Sequence, residues 1–131
     1  MSDYTVKTLD EIEGAFGGAF KRVRAALGCT SFGMQVIEMP PGWDGYPNHD
    51  HAGDGQEEVY LALKGSGELD IEGKKVQLGP ETFVRVGPGS KRKITPGPEG
   101  LRLLAIGGVP GGTFKAHPVT ELGGPEELPK P

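Results

Sequence analysis

The chain has 131 residues, a formal net charge of −4, 23 glycines, 12 prolines and one cysteine, Cys29. That length suits one domain with a core of its own, and a single cysteine excludes an internal disulfide or a cysteine-based zinc finger. The acidic balance speaks against a polyanion such as nucleic acid as partner.

The start, "MSDYTVKTLDEIEG", is polar and acidic and has neither the basic head nor the apolar middle of a secretion signal. No apolar run approaches the roughly 18 residues of a membrane span. The expectation is a cytoplasmic protein with no membrane partner.

Residues 1–19 read as an N-terminal arm. "TLDEIEGAF" can begin a short helix capped by Thr8 or Asp10, weakened by Gly14, Gly17 and Gly18. "FKRVRAAL" is ambiguous: its alanines favour a helical turn, and its polar residues show no clean alternation. The basic run Lys21 to Arg24 is expected to be a solvated face. Cys29 lies in an apolar run and reads as a buried structural thiol rather than a nucleophile.

From Thr30 onward, short apolar runs alternate with turn residues. "SFGMQVIEM" runs into Pro40-Pro41-Gly42, and "EEVYLALKG" ends at Gly65. "GELDI" and "KKVQL" flank a hairpin turn at Glu72-Gly73. "ETFVRV" ends at "GPGS", "RKIT" at "PGPEG", and "LRLLAI" at "GGVPGG". Six or seven short strands with no helix-length segment between them predict an all-β sandwich or barrel over residues 20–109. Residues 110–131 are rich in glycine and proline and read as an extended tail, either mobile or lying across a partner subunit. His117, in that tail, is expected at the surface.

The stretch "PNHDHAGDGQEEVYLALKGSG" concentrates the chemistry. On a strand, side chains two apart share a face, so His49 and His51 are expected to project together. Two imidazoles can bind a divalent metal, but a third ligand is needed. On the next strand, period two puts Glu58, Tyr60 and Ala62 on one face and Glu57, Val59, Leu61 and Leu63 on the other. A lone glutamate inside a small barrel is costly unless it is paired or on a metal.

These residues resemble the first motif of the cupin superfamily, in which a glycine, a His-x-His pair and a glutamate precede a glycine six residues further on. Here the pieces are "GWDGYPNHDH", Glu58 and Gly65. The interval from His51 to Glu58 is longer than usual, and a slip of register would make Glu57 the ligand instead. The family's second motif corresponds to "GPETFVRVGPGSKRKI". Gly89 matches, Gly87 stands at the proline position, and Arg92 stands where the motif has a histidine. The resemblance implies a double-stranded β-helix, or jelly-roll barrel, with one cupin domain that usually dimerises. Dimerisation would give the Val59, Leu61 and Leu63 face somewhere to pack.

Arginine stays protonated and cannot ligate a metal. Two readings follow. In one, His49, His51 and Glu58 hold a divalent ion (iron, manganese, zinc or nickel), Arg92 clamps an anionic small molecule, and Tyr60 orients it. The chemistry is then iron-dependent oxygenation or metal-assisted isomerisation or hydrolysis. In the other, no metal binds, Arg92 pairs with Glu58 or with an anionic ligand, and the chain is a small-molecule carrier or sensor.

Overall fold

Two long strands organise the molecule in its computed structural model, which describes residues 2–128. They are the fourth and seventh of seven: β1 (Gly14–Ala15), β2 (Phe20–Lys21), β3 (Gly33–Met39), β4 (Glu57–Ile71), β5 (Lys74–Leu78), β6 (Val84–Val86) and β7 (Arg92–Gly108). One short helix, α1 (Val23–Leu27), follows β2, and 3-10 turns lie at Leu9–Glu11 and Pro118–Thr120. The pairing order is β1-β2-β3-β7-β4-β5, with β6 pairing Glu58–Tyr60 of β4 on the same edge as β5, at the other end of the strand. All pairings are antiparallel, from Glu57 opposite Gly108 to Ile71 opposite Arg92 in the central β4–β7 ribbon. This is the all-β barrel expected from the strand pattern, in the jelly-roll form that the cupin resemblance implies.

Two expected strand ends are corrected. β4 does not stop at Gly65, and "PGPEG" does not interrupt β7. Register shifts between Ala62 and Lys64 and between Gly65 and Gly67 bend the ribbon without ending it. Gly65 takes φ +75° at the bend, and a Cβ there would lie 2.1 Å from the carbonyl oxygen of Gly100. Only glycine meets both demands. Pro96 falls opposite Gly67 at the shift, where a missing N–H costs no regular ladder bond. The opposite error occurs at "ETFVRV": Glu81 has φ +64°, so the strand forms only over Val84–Val86.

Alternation then builds the core. Tyr60, Ala62 and Leu69 of β4 meet Ile94, Leu101, Leu103 and Ala105 of β7, with Met39, Leu78 and Val86 closing the cluster. Leu69, Ile94 and Leu103 are fully buried, each stabilising the fold by about 1.5–3 kcal/mol. The Glu72-Gly73 hairpin forms as expected, with φ values of 51° and 90° and the Asp70 carboxylate accepting from the Gly73 N–H at 2.8 Å.

The basic run is not a solvated face. Arg22 and Arg24 are 3% and 7% exposed. Arg22 donates from Nε to the Val119 carbonyl (2.7 Å) and from Nη2 to the Gly124 carbonyl (2.9 Å), and it pairs with Glu13. Arg24 donates to the Cys29 and Thr120 carbonyls and pairs with Glu121 at 3.0 Å. Free carbonyls of the irregular C-terminal segment are what draw these cations inward. The segment thus folds back over its own N-terminal arm, and Val119 and Thr120 become buried. Cys29 is only half-buried, at the edge of this contact. Among the described residues, no helix is long and apolar enough to cross a membrane.

Candidate metal centre

His49 and His51 do not sit on a regular strand. His49 forms an isolated bridge with Arg92, its N–H donating to the Arg92 carbonyl (3.0 Å) and its carbonyl accepting in return (2.8 Å). The His51 N–H donates to the Pro88 carbonyl at 2.8 Å. The "GPGSKRK" turn, which carries the degraded second motif, therefore holds the histidine loop in place. Glu58 comes from β4 beside Tyr60, on the inner face that period two assigned to it.

The three side chains converge. His51 Nε2 lies 3.0 Å and His49 Nε2 3.9 Å from Glu58 Oε1, and the ligand atoms of the three residues all lie within 4.8 Å of one another. Ligands about 2.1 Å from a common ion are separated by about 3 Å at right angles and at most about 4.2 Å, so the His51–Glu58 pair has the spacing of one cation and the wider separations would close on it by a small inward shift. The imidazoles are also turned the right way. The Pro47 carbonyl, 3.0 Å from His49 Nδ1, can only accept, so Nδ1 carries the proton and Nε2 offers its lone pair. Asp54 does the same for His51, with both carboxylate oxygens within 3.1 Å of Nδ1. His51 Nε2 is buried and has no aligned hydrogen-bond partner among the described residues, close as it is to Glu58. A cation would satisfy it.

Electrostatics set the protonation states. Burial favours neutral His49 and outweighs the opposing pull of the Pro47 carbonyl, so its pKa lies below the usual imidazole range. Burial pushes His51 the same way, but the close Glu58 carboxylate, with Asp54 behind it, raises it overall. Burial would raise Glu58. His51, the Tyr60 hydroxyl and the Arg92 charge more than offset this and hold Glu58 below the ordinary carboxylate range. Tyr60 donates to Glu58 Oε1 at 2.5 Å. Desolvation keeps Tyr46 and Tyr60 above the usual phenol range, so both stay neutral.

Arg92 is 0% exposed. Its Nε stands 3.9 Å from Glu58 Oε1, too far for a hydrogen bond, and Nη2 donates to the Gly87 carbonyl at 3.1 Å. Neither Arg92 nor Tyr60 lines the cavity in front of the cluster. Glu57 points the other way, into an outer-face pair with Arg85 at 2.7 Å.

That cavity measures about 840 Å³. His49, His51 and Glu58 occupy one part of its wall. The N-terminal arm supplies Phe16, β2 Phe20, the 43–47 loop Trp43 and Tyr46, and the C-terminal segment Phe114 and His117.

A family profile described as "Cupin domain" matches residues 35–107, more than half of the chain. The chain belongs to the cupin family. A cupin protein from Bacteroides fragilis shares its fold with a TM-score of 0.70 at 23% identity, over 89% of this chain and 93% of that one. A protein from Acidithiobacillus ferrooxidans assigned as a sugar phosphate isomerase has a TM-score of 0.55 at 29% identity, over 67% of this chain and 56% of that one. A sugar phosphate isomerase from a cupin superfamily, from Silicibacter pomeroyi, has a TM-score of 0.66 at 18% identity, over 79% of this chain and 75% of that one. No curated protein matches the sequence.

Within this cupin, His117 is the cavity-lining histidine that the sequence concealed. Expected at the surface, it is half-buried and lines the cavity. Its Nδ1 accepts from the Val119 N–H at 3.1 Å, so the neutral ring carries its proton on Nε2. The local signal was "HPVT", a cap followed by proline at the first position of a turn. Nothing in that signal says that the turn docks beside the barrel mouth.

Proposed function

We propose that this cupin holds one divalent ion, of the iron, manganese, zinc or nickel class, through His49 Nε2, His51 Nε2 and Glu58, and isomerises a small oxygen-bearing organic molecule at the face left open to the cavity. The observation that carries this reading is the convergence of three ligand atoms within 4.8 Å while both Nδ1 atoms are engaged elsewhere. When bound, the ion would supply Lewis acidity at an oxygen of the ligand. The chain's own residues prepare for it. Pro47 and Asp54 fix the imidazole orientations, and Tyr60 fixes the carboxylate. Arg92 acts from behind as a counter-charge to Glu58 rather than as a substrate clamp, because its side chain is sealed from the cavity.

Isomerisation is favoured over oxygenation by the likeness to the Acidithiobacillus ferrooxidans protein at 29% identity. Two histidines and a carboxylate serve either chemistry. Metal analysis after supplementation tests the centre. About one ion per chain in the wild type, lost in His49→Ala and in Glu58→Gln, supports it. Trace metal that the variants leave unchanged refutes it.

The metal-free reading draws on the 3.9 Å approach of Arg92 to Glu58. It expects anion binding that ignores chelators. We also propose a homodimer formed through the outer face of β4, where Leu63 is 49% exposed. Light scattering should then read twice the 13.8 kDa chain mass, and a monomer would count against it.

A further inference from the structure

The cavity in front of the His49–His51–Glu58 cluster is built for an apolar body, and its charge is wrong for a phosphate. Among the described residues, no lysine or arginine lines it, whereas Asp50, Asp54 and Glu58 do. A phosphate dianion in such a chamber would have a single divalent ion as its only strong partner, with the three carboxylates beside it. Phosphate sites are ordinarily furnished with arginine, lysine or a helix N-terminus. Among the described residues, neither arginine nor lysine faces this space.

Much of the remaining wall is apolar and aromatic, with Gln35, Gln56 and Thr120 among its polar interruptions. Phe16 and Phe20 meet edge to face, with ring centroids 6.3 Å apart. Phe16 is held at φ +55°, a conformation a bulky side chain rarely adopts. Such strain persists only where the surroundings impose it. Phe114 packs over β3 where Gly33 leaves room: a Cβ on Gly33 would come within 3.1 Å of the ring. Trp43 folds over Gly45 in the same way, with a Cβ there only 2.4 Å from the indole. Two glycines thus seat two aromatic rings on one cavity.

Building on the proposed metal centre, we infer that the ligand of this cupin is an amphipathic, singly charged or neutral molecule. A small oxygen-bearing head, such as a hydroxy- or oxo-carboxylate, meets the ion. An aromatic or branched apolar body lies among Phe16, Phe20, Trp43 and Phe114. A sugar phosphate does not fit this chamber, although solved structures of similar fold carry that name.

Calorimetric titration of the zinc-supplemented protein with three probes tests this. L-Lactate presents the head alone, 3-phenyllactate adds the aromatic body, and ribose 5-phosphate adds a phosphate to a polyol. The expected result is that 3-phenyllactate binds at least tenfold more tightly than either other probe. Phe114→Ala and Trp43→Ala should each remove about tenfold of that preference while bound zinc and circular dichroism stay unchanged. Equal binding of lactate and 3-phenyllactate, preference for ribose 5-phosphate, or aromatic variants without effect would overturn the inference. Zinc content, measured on the same samples, separates this outcome from failure of the metal centre. Should no zinc bind, the metal-free chain is titrated in the same way. Preference for 3-phenyllactate there, weakened by Phe114→Ala, supports the apolar chamber, and its absence contradicts it.

Discussion

Arg92 stands where the cupin second motif has a histidine, and its buried charge bears on any ion that Glu58 helps to hold. A guanidinium 3.9 Å from the Glu58 carboxylate lowers the Glu58 pKa and would repel a cation sharing that carboxylate. At an effective dielectric near 20, such a repulsion is a few kcal/mol. Arg92→His removes the charge and adds a ligand of the right type, so metal affinity should rise at least tenfold in competition with a chelator. Unchanged or weaker affinity would mean that the side chain at this position does not reach the ion. Protons compete at the same site. The His51 pKa is raised above its ordinary value, so in the metal-free protein its proton must be displaced before the imidazole can ligate. Metal affinity should therefore fall by about tenfold per pH unit as pH drops below that raised value, and titrations at pH 8 and pH 6 would show it. Much of this cluster was legible in the sequence. The period of two from Glu58 to Tyr60 needs only strand geometry, whereas the His49–His51 pair was marked by its spacing and is held together by a loop. Arg92 was legible as a departure from the motif, but its burial was not, because that depends on how β6 and β7 close around it.

At the scale of elements, the β4–β7 ribbon decides whether the barrel closes. Its bend passes through Gly65, where a positive φ and the Gly100 carbonyl both exclude a side chain. Gly65→Ala should destabilise the fold by more than about 2 kcal/mol, read as an earlier midpoint in denaturant. A neutral substitution would show that the corner relaxes. The sequence marked Gly65 and "PGPEG" as breaks because glycine and proline usually punctuate strands. It could not distinguish a break from a bulge, since that depends on what lies opposite. The Lys21 to Arg24 run was misread for a similar reason. A cationic tetrapeptide is normally solvated, and only docking against the carbonyls of residues 119–124 makes its burial favourable.

For the molecule as a whole, the N-terminal arm and the C-terminal segment complete a chamber that the barrel begins. Arg22 is the main tie, reaching Val119, Gly124 and Glu13 from a buried position. Arg22→Ala should expose residues 110–128 to protease and weaken ligand binding several-fold, with the barrel's thermal transition little changed. Resistance equal to wild type would contradict this. Glu13 accepts from the Gly123 N–H and pairs with Arg22, and both hold its carboxyl below the ordinary range. A depressed folded-state pKa contributes stability above the unfolded value that is lost as pH falls toward the folded one. The tail should loosen on acidification through that window, seen as faster amide exchange in residues 117–124, and Glu13→Gln should abolish this pH dependence.

The most direct test of the centre is anomalous diffraction at the zinc edge from crystals grown with zinc. A single strong peak about 2.0–2.2 Å from His49 Nε2, His51 Nε2 and a Glu58 carboxylate oxygen is predicted. A map with no peak there, or with Arg92 closed into a hydrogen bond with Glu58 in zinc-containing crystals, would contradict it.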